Sequence, residues 1–123
     1  MSNEITWTGN FSCKNGSYSD KWSISNSQIT QNAVGASAGV LPCTTSAANI
    51  PYASVSSVGF LLLENLEAAG GHSVDFGIVV DATFQPVGTL QPGENTIFRV
   101  KASTQIQLKA TGAANVQYWL LSN

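Results

Sequence analysis

Apolar and polar residues alternate with a period of two along much of this chain, and no stretch sustains the 3.6-residue period of an amphipathic helix. Ile5, Trp7, Gly9, Phe11 and Cys13 share one side of an extended segment, with Thr6, Thr8, Asn10 and Ser12 on the other. A strand with one covered face and one wet face requires this spacing, because successive side chains point to opposite faces. The alternation excludes a helical fold and makes the problem one of how many strands there are and where they turn.

Asn15-Gly16 ends the first stripe and gives the strongest short hairpin signal, since a type I′ turn needs positive φ at both central residues. Beyond it Tyr18, Trp22 and Ile24 alternate again. A hairpin is therefore expected over about residues 3–30. Folding about Asn15-Gly16 places Cys13 opposite Tyr18 and Trp7 opposite Ile24, which keeps the apolar side chains on one face.

Residues 31–57 are rich in small side chains and Ser/Thr and are interrupted by Pro42 and Pro51, which predicts one or two short edge strands joined by loops. Gly59-Phe60-Leu61-Leu62-Leu63 is a continuous apolar run, short enough for a strand buried on both faces; the nearby Gly70-Gly71 turn disfavours the rival helix. Val74, Phe76, Ile78 and Val80 form the next stripe, and a further short strand includes Phe84 and ends near Pro86. Gln91-Pro92-Gly93-Glu94 reads as a tight turn. Phe98, Val100 and Ala102, then Ile106, Leu108 and Ala110, then Val116, Tyr118 and Leu120 mark three closing strands, with Thr111-Gly112-Ala113 between the last two. About 8–10 short strands in 123 residues predict an all-β, antiparallel β-sandwich of jelly-roll type, with residues 1–123 as a single domain.

Composition narrows the function. The chain is 43% hydrophobic and only 10% charged, against a usual charged share of about 25%. Ser, Thr, Asn and Gln must therefore supply much of the wet surface, and part of the surface is suited to being covered, since charge is depleted at interface centres. The net charge of −2 and the scattering of Lys14, Lys21, Arg99, Lys101 and Lys109 leave no footprint for nucleic acid. No run approaches the roughly 20 apolar residues of a membrane-spanning helix. The opening Met1-Ser-Asn-Glu lacks the positive and then apolar stretch of a signal peptide, so synthesis in the cytoplasm is expected. Cys13 and Cys43 have no metal-ligand spacing, and in a reducing compartment free, partly buried thiols are favoured over a bridge.

Catalytic chemistry finds few residues to work with. Nucleophilic catalysis needs a Ser or Cys beside a base and an orienting group. The single histidine, His72, stands in the loop Ala69-Gly70-Gly71-His72-Ser73, where solvation explains it. Glu64, Glu67, His72 and Asp75 lie close in sequence but lack the alternate carboxylates of a calcium loop. No catalytic, cofactor or metal residue is assigned. Among the aromatic residues, Trp7 and Trp22 alternate with core-type side chains and read as packing, although flat rings could also stack on sugars. Trp119 is different. Val116, Tyr118 and Leu120 already occupy one face of the last strand, which leaves Trp119 and Leu121 on the other as the candidate interface residues.

Four segments of the second half carry a resemblance. Gly59-Phe60-Leu61-Leu62-Leu63-Glu64-Asn65-Leu66, Val74-Asp75-Phe76-Gly77, Leu90-Gln91-Pro92-Gly93-Glu94 and Val116-Gln117-Tyr118-Trp119-Leu120-Leu121 occur in the order of small β-sandwich virion proteins of tailed bacteriophages. The chain resembles these proteins over about residues 58–121, and its N-terminal hairpin has no counterpart in them. The resemblance implies a non-enzymatic capsid decoration (cement) protein located on the virion. It further implies the major capsid protein as partner, assembly as a homo-oligomer (dimer or trimer), and no cofactor. A carbohydrate- or receptor-binding β-sandwich module is the alternative, with the tryptophans as its stacking platform.

Overall fold

The computed structural model describes residues 4–33, 35–53 and 55–123. The first residue of the expected hairpin and Val34 of the small-residue stretch lie outside the described residues, as does Ser54. Chain contacts divide the protein into two compact units, Met1–Asn32 and Ala33–Asn123.

The first unit is a hairpin of β1 (Ile5–Asn15) and β2 (Tyr18–Ile29). Its turn lies one residue beyond the expected place. Asn15 pairs with Tyr18, so Gly16 and Ser17 are the central residues. Gly16 has φ 60, and glycine at the first central position is the signature of a type II′ turn. Cys13 consequently pairs with Asp20, and Phe11 pairs with Trp22. The shift moves each partner by two residues, so the apolar face survives.

Nearer the open end a bulge sets Ser25 and Asn26 against Thr8, and Asn26 takes φ 54. Trp7 then pairs with Ser27 and Ile5 with Ile29. The bulge has a physical cause. Ile24 and Ile29 are an odd number of residues apart, and one extra residue is needed to bring both onto the face of Ile5.

The second unit contains β3 (Ala36–Cys43), β4 (Ala48–Asn49), β5 (Val58–Asn65), β6 (Val74–Val80), β7 (Thr83–Leu90), β8 (Asn95–Arg99), β9 (Gln107–Ala110) and β10 (Ala114–Ser122). One sheet has the order β3-β10-β5-β8 and the other β4-β9-β6-β7. Every pairing is antiparallel, and the first strand of this unit pairs with its last, the second with the seventh, the third with the sixth and the fourth with the fifth. That is a long antiparallel ribbon rolled up on itself. It makes the unit an eight-stranded jelly roll, the type of antiparallel sandwich expected.

The inward residues of the central strands form the core. Leu61 and Leu63 of β5, Val116 and Leu120 of β10, Val74 of β6 and Leu108 of β9 are fully buried, and each such side chain contributes about 1.5–3 kcal/mol relative to exposure. β5 is not covered on both faces as its apolar run predicts: Phe60, Leu62 and Glu64 alternate with the buried positions and stay half-buried. β8 ends at Arg99, so Ala102 leaves the expected stripe and is exposed in the loop that follows.

Side-chain hydrogen bonds tie the loops to this core. Asn65, buried at the end of β5, donates through Nδ2 to the carbonyls of His72 and Leu90 at 3.0 and 3.1 Å and accepts from the Glu67 amide at 3.1 Å. Its own backbone pairs with Glu94 and Gly93, fixing the Gln91–Glu94 turn, where Gly93 has φ 81. Across the unit, the Tyr52 hydroxyl donates to the Thr104 carbonyl at 2.8 Å and accepts from the Ile106 amide at 2.9 Å.

Candidate interaction surface

β10 runs between β3 and β5, so the side chains it turns away from the core stand at the middle of a four-stranded sheet face. Ala114, Val116, Tyr118, Leu120 and Ser122 are buried, and the intervening residues face outward. Trp119 is 49% exposed and Leu121 half-buried. The register gives Trp119 its neighbours: Ala38 of β3 on one side and Leu62 of β5 on the other, with Ile97 of β8 beyond Leu62. In the adjacent row Leu121 lies between Ala36 and Phe60. The alanines of β3 are too short to cover the indole, which leaves one flank of Trp119 open.

The outward face is thus an apolar band, with polar groups at its margins. At one end the Arg99 guanidinium lies over the Phe60 ring, 5.1 Å from its centroid, and bonds the Asn123 side chain. At the other end Gln117 and Glu64 pair across β10 and β5, and Glu64 is followed by Asn95 of β8. An apolar centre with a polar rim is the general anatomy of a protein-binding surface. The sequence pointed to Trp119 and Leu121. Phe60, Leu62 and Ile97 join them only through the strand order, which no local pattern specifies.

The hairpin presents the second set of exposed rings. Phe11, Trp22 and Tyr18 are 74%, 69% and 59% exposed. The packing role expected of Trp22 is therefore not realised in its own ribbon, because two strands have no second layer to receive its indole. Trp7 is half-buried, with its indole lying over Gly9.

Other candidate residues are placed as follows. The ring of His72 lies against Gly112, and its Nδ1 is 3.3 Å from the Thr111 hydroxyl. Asp75 accepts a 2.5 Å hydrogen bond from Thr89 on β7, and Glu67 accepts from the Asn115 amide at 3.1 Å. Each of these side chains makes its contact with a neighbouring loop or strand. Among the described residues no three His, Cys, Asp or Glu side chains come close enough to hold a metal ion. Both cysteines are free: Cys43 is buried, and Cys13 is exposed where a partly buried thiol was expected. Burial pushes the Cys43 thiol up from 9.0 to about 11. Burial also raises the Tyr52 phenol, partly offset by the hydrogen bond from Ile106.

A small apolar cleft of about 220 Å³ opens among Phe76, Gly77, Val87, Thr96, Phe98 and Ile106. It sits beside the β6–β7 bulge, where Val87 is displaced outward and Phe76 stacks on Phe98 at 5.4 Å. Its walls offer almost no polar group to orient a substrate.

No protein family matches the chain, and comparison with curated proteins finds no relative. Among solved structures, the chain shows a weak similarity to one from work describing Bacillus endospore appendages as a novel family of disulfide-linked pili. The match covers 79% of this chain and 100% of that one, with 14% identity and a TM-score of 0.43. At that level of similarity it assigns no role to this chain.

Proposed function

We propose that this protein is a non-enzymatic structural subunit that works by surface contact. The observation that carries this reading is the apolar outward face of the β3-β10-β5-β8 sheet, with Trp119 half exposed at its centre between Ala38 and Leu62. A large exposed aromatic ring within an apolar band favours a protein partner, because a covered ring contributes most where polar groups are confined to the rim. The specific role we propose is capsid decoration on a bacteriophage virion, with the major capsid protein as partner. It is supported by the resemblance of residues 58–121 to tailed-phage virion proteins. Binding across the seams between capsid subunits would add buried area and brace the shell without any chemical step.

Cosedimentation with assembled capsids, made from the major capsid protein encoded with this chain, tests the proposal. The wild type is expected to bind to a saturating stoichiometry, and Trp119→Ser is expected to weaken binding at least tenfold while unfolding at the same temperature. Absence of wild-type binding would remove the capsid role. Hits on a glycan array that depend on Trp119 would instead favour the carbohydrate-binding module. Unfolding of Trp119→Ser with no change in any association would make Trp119 a stability residue.

A further inference from the structure

The hairpin unit has the composition of a covered surface on one face only. A two-stranded ribbon is marginal in water unless a further strand or a second layer covers it. Residues paired across β1 and β2 share a face, and the register collects Ile5, Trp7, Phe11, Trp22, Ile24 and Ile29 on the same one. Thr6, Asn10, Ser12, Lys14, Lys21 and Ser23 occupy the opposite face. We propose that the apolar face binds the same face of a second copy of this chain, so that two hairpins form a two-layer sandwich. This goes beyond the sheet face around Trp119 and does not depend on it.

Three features favour a second copy as the occupant. The first is charge. The face carries one charged side chain, Asp20, opposite Cys13, while both lysines of the ribbon point away from it. Such a surface offers nothing to a strongly acidic or basic partner and little that repels its own copy.

Shape is the second feature. A two-fold axis along the hairpin, between the two faces, lays β1 of one copy over β2 of the other. Each residue then meets in the mate the residue it already pairs with in its own ribbon. The Phe11–Trp22 pairs stack on each other near the middle of the strands, Ile5 meets Ile29, and the bulky Trp7 meets the small Ser27. The Trp7–Ser27 match sets a large side chain against a small one, as interdigitating sheet faces require. The bulge at Asn26 produces this match, since it brings Ser27 and Ile29 onto the face.

Area is the third. A strand of 11 residues at a rise of about 3.4 Å, beside a second strand about 4.8 Å away, gives a face of roughly 500 Å² once side chains are included. Two such faces bury about 1,000 Å² in total, the least that a biological interface should clear and the size of a weak, reversible dimer.

Light scattering on the full chain across a range of concentrations is the test, with Phe11→Ser/Trp22→Ser as the variant and Lys21→Glu as the polar-face control. The wild type and Lys21→Glu are expected to reach twice the 12.9 kDa monomer mass, and the double variant to remain at the monomer mass. A wild type that stays monomeric throughout, a discrete trimer, or a double variant that still dimerises would each overturn the proposal. The double variant can also disorder the ribbon, so tryptophan emission of the wild type supplies an independent reading. It should shift to the red on dilution as Trp22 becomes exposed, and an emission maximum that ignores the change in mass would overturn the assignment to this face. Trp119→Ser should dimerise as the wild type does. A dimer lost in Trp119→Ser and retained in the double variant would place self-association on the sheet face instead.

Discussion

The hairpin and the jelly roll are built from the same alternating pattern, yet their apolar residues meet different fates. In the jelly roll each inward stripe finds a second sheet, and Leu61, Leu63, Leu108 and Leu120 lose all contact with solvent. In the hairpin the unit's own two strands supply no second layer for the equivalent stripe, and Phe11 and Trp22 keep more than two-thirds of their surface exposed. Period-two patterning specifies a face. Covering that face requires another layer, and the number of strands in the unit decides whether the chain supplies one.

Core truncation draws the contrast most sharply. Leu108→Ala should cost about 3–5 kcal/mol of unfolding free energy by loss of burial and creation of a cavity. Phe11→Ala in the hairpin should change the stability of the monomer by less than about 0.5 kcal/mol. Denaturant titration at a concentration below any self-association compares the two directly. Equal losses would mean that the hairpin face is as well covered as the core.

The next effect concerns the buried polar group that ties loops to the end of β5. Asn65→Ala leaves the carbonyls of His72 and Leu90 and the amide of Glu67 without their side-chain partner, so a loss of about 2–3 kcal/mol is expected. Hydrogen exchange at Gly93 and Glu94 should quicken with it, while exchange along β1 and β2 stays unchanged. Quickened exchange in the hairpin would show that the units share their stability.

Alkaline pH should also act on the jelly roll. Cys43 titrates at about 11 in the folded protein against an ordinary 9.0, and Tyr52 is raised as well. For both groups the neutral form is favoured by folding, so their contribution is fully present below the ordinary values and is lost as pH rises through the folded ones. The unfolding midpoint should be level around neutrality and fall between pH 9 and about 11. Cys43→Ala should flatten that decline, and an unflattened decline would shift the cause to Tyr52 alone.

The smallest effect is a gain. Asp81 and Ala82 form the β6–β7 turn with φ 49 and 61, a type I′ geometry that suits glycine at the second position. Ala82→Gly should therefore stabilise the jelly roll by roughly 0.5–1 kcal/mol, read as a raised denaturant midpoint.

Much of the fold was legible because its signals are local. The alternation of Val116, Tyr118 and Leu120, the Thr111-Gly112-Ala113 connection and the Gln91–Glu94 turn each follow from period or turn chemistry within a few residues. The hairpin was legible too, although its turn centres on Gly16-Ser17: a sequence containing Asn15-Gly16-Ser17 permits both a type I′ and a type II′ turn, and the strand register chooses. The odd spacing of Ile24 and Ile29 is the trace of the bulge in the sequence. Asn65 gave no sign of its three side-chain hydrogen bonds, since its partners come from 7 and 25 residues along the chain as well as from nearby Glu67.

The sequence by itself determined that the chain is all-β, where most strands turn, and that Trp119 and Leu121 leave the core side of the last strand. Strand order was decided only by tertiary structure. Pairing β3 with β10, or setting β10 beside β5, joins segments many tens of residues apart, and nothing in either segment encodes its partner. Whether an apolar stripe becomes core or surface depends on that pairing, which is why Leu62 and Ile97 join Trp119 on an outward face while Leu61 and Leu63 are sealed inside.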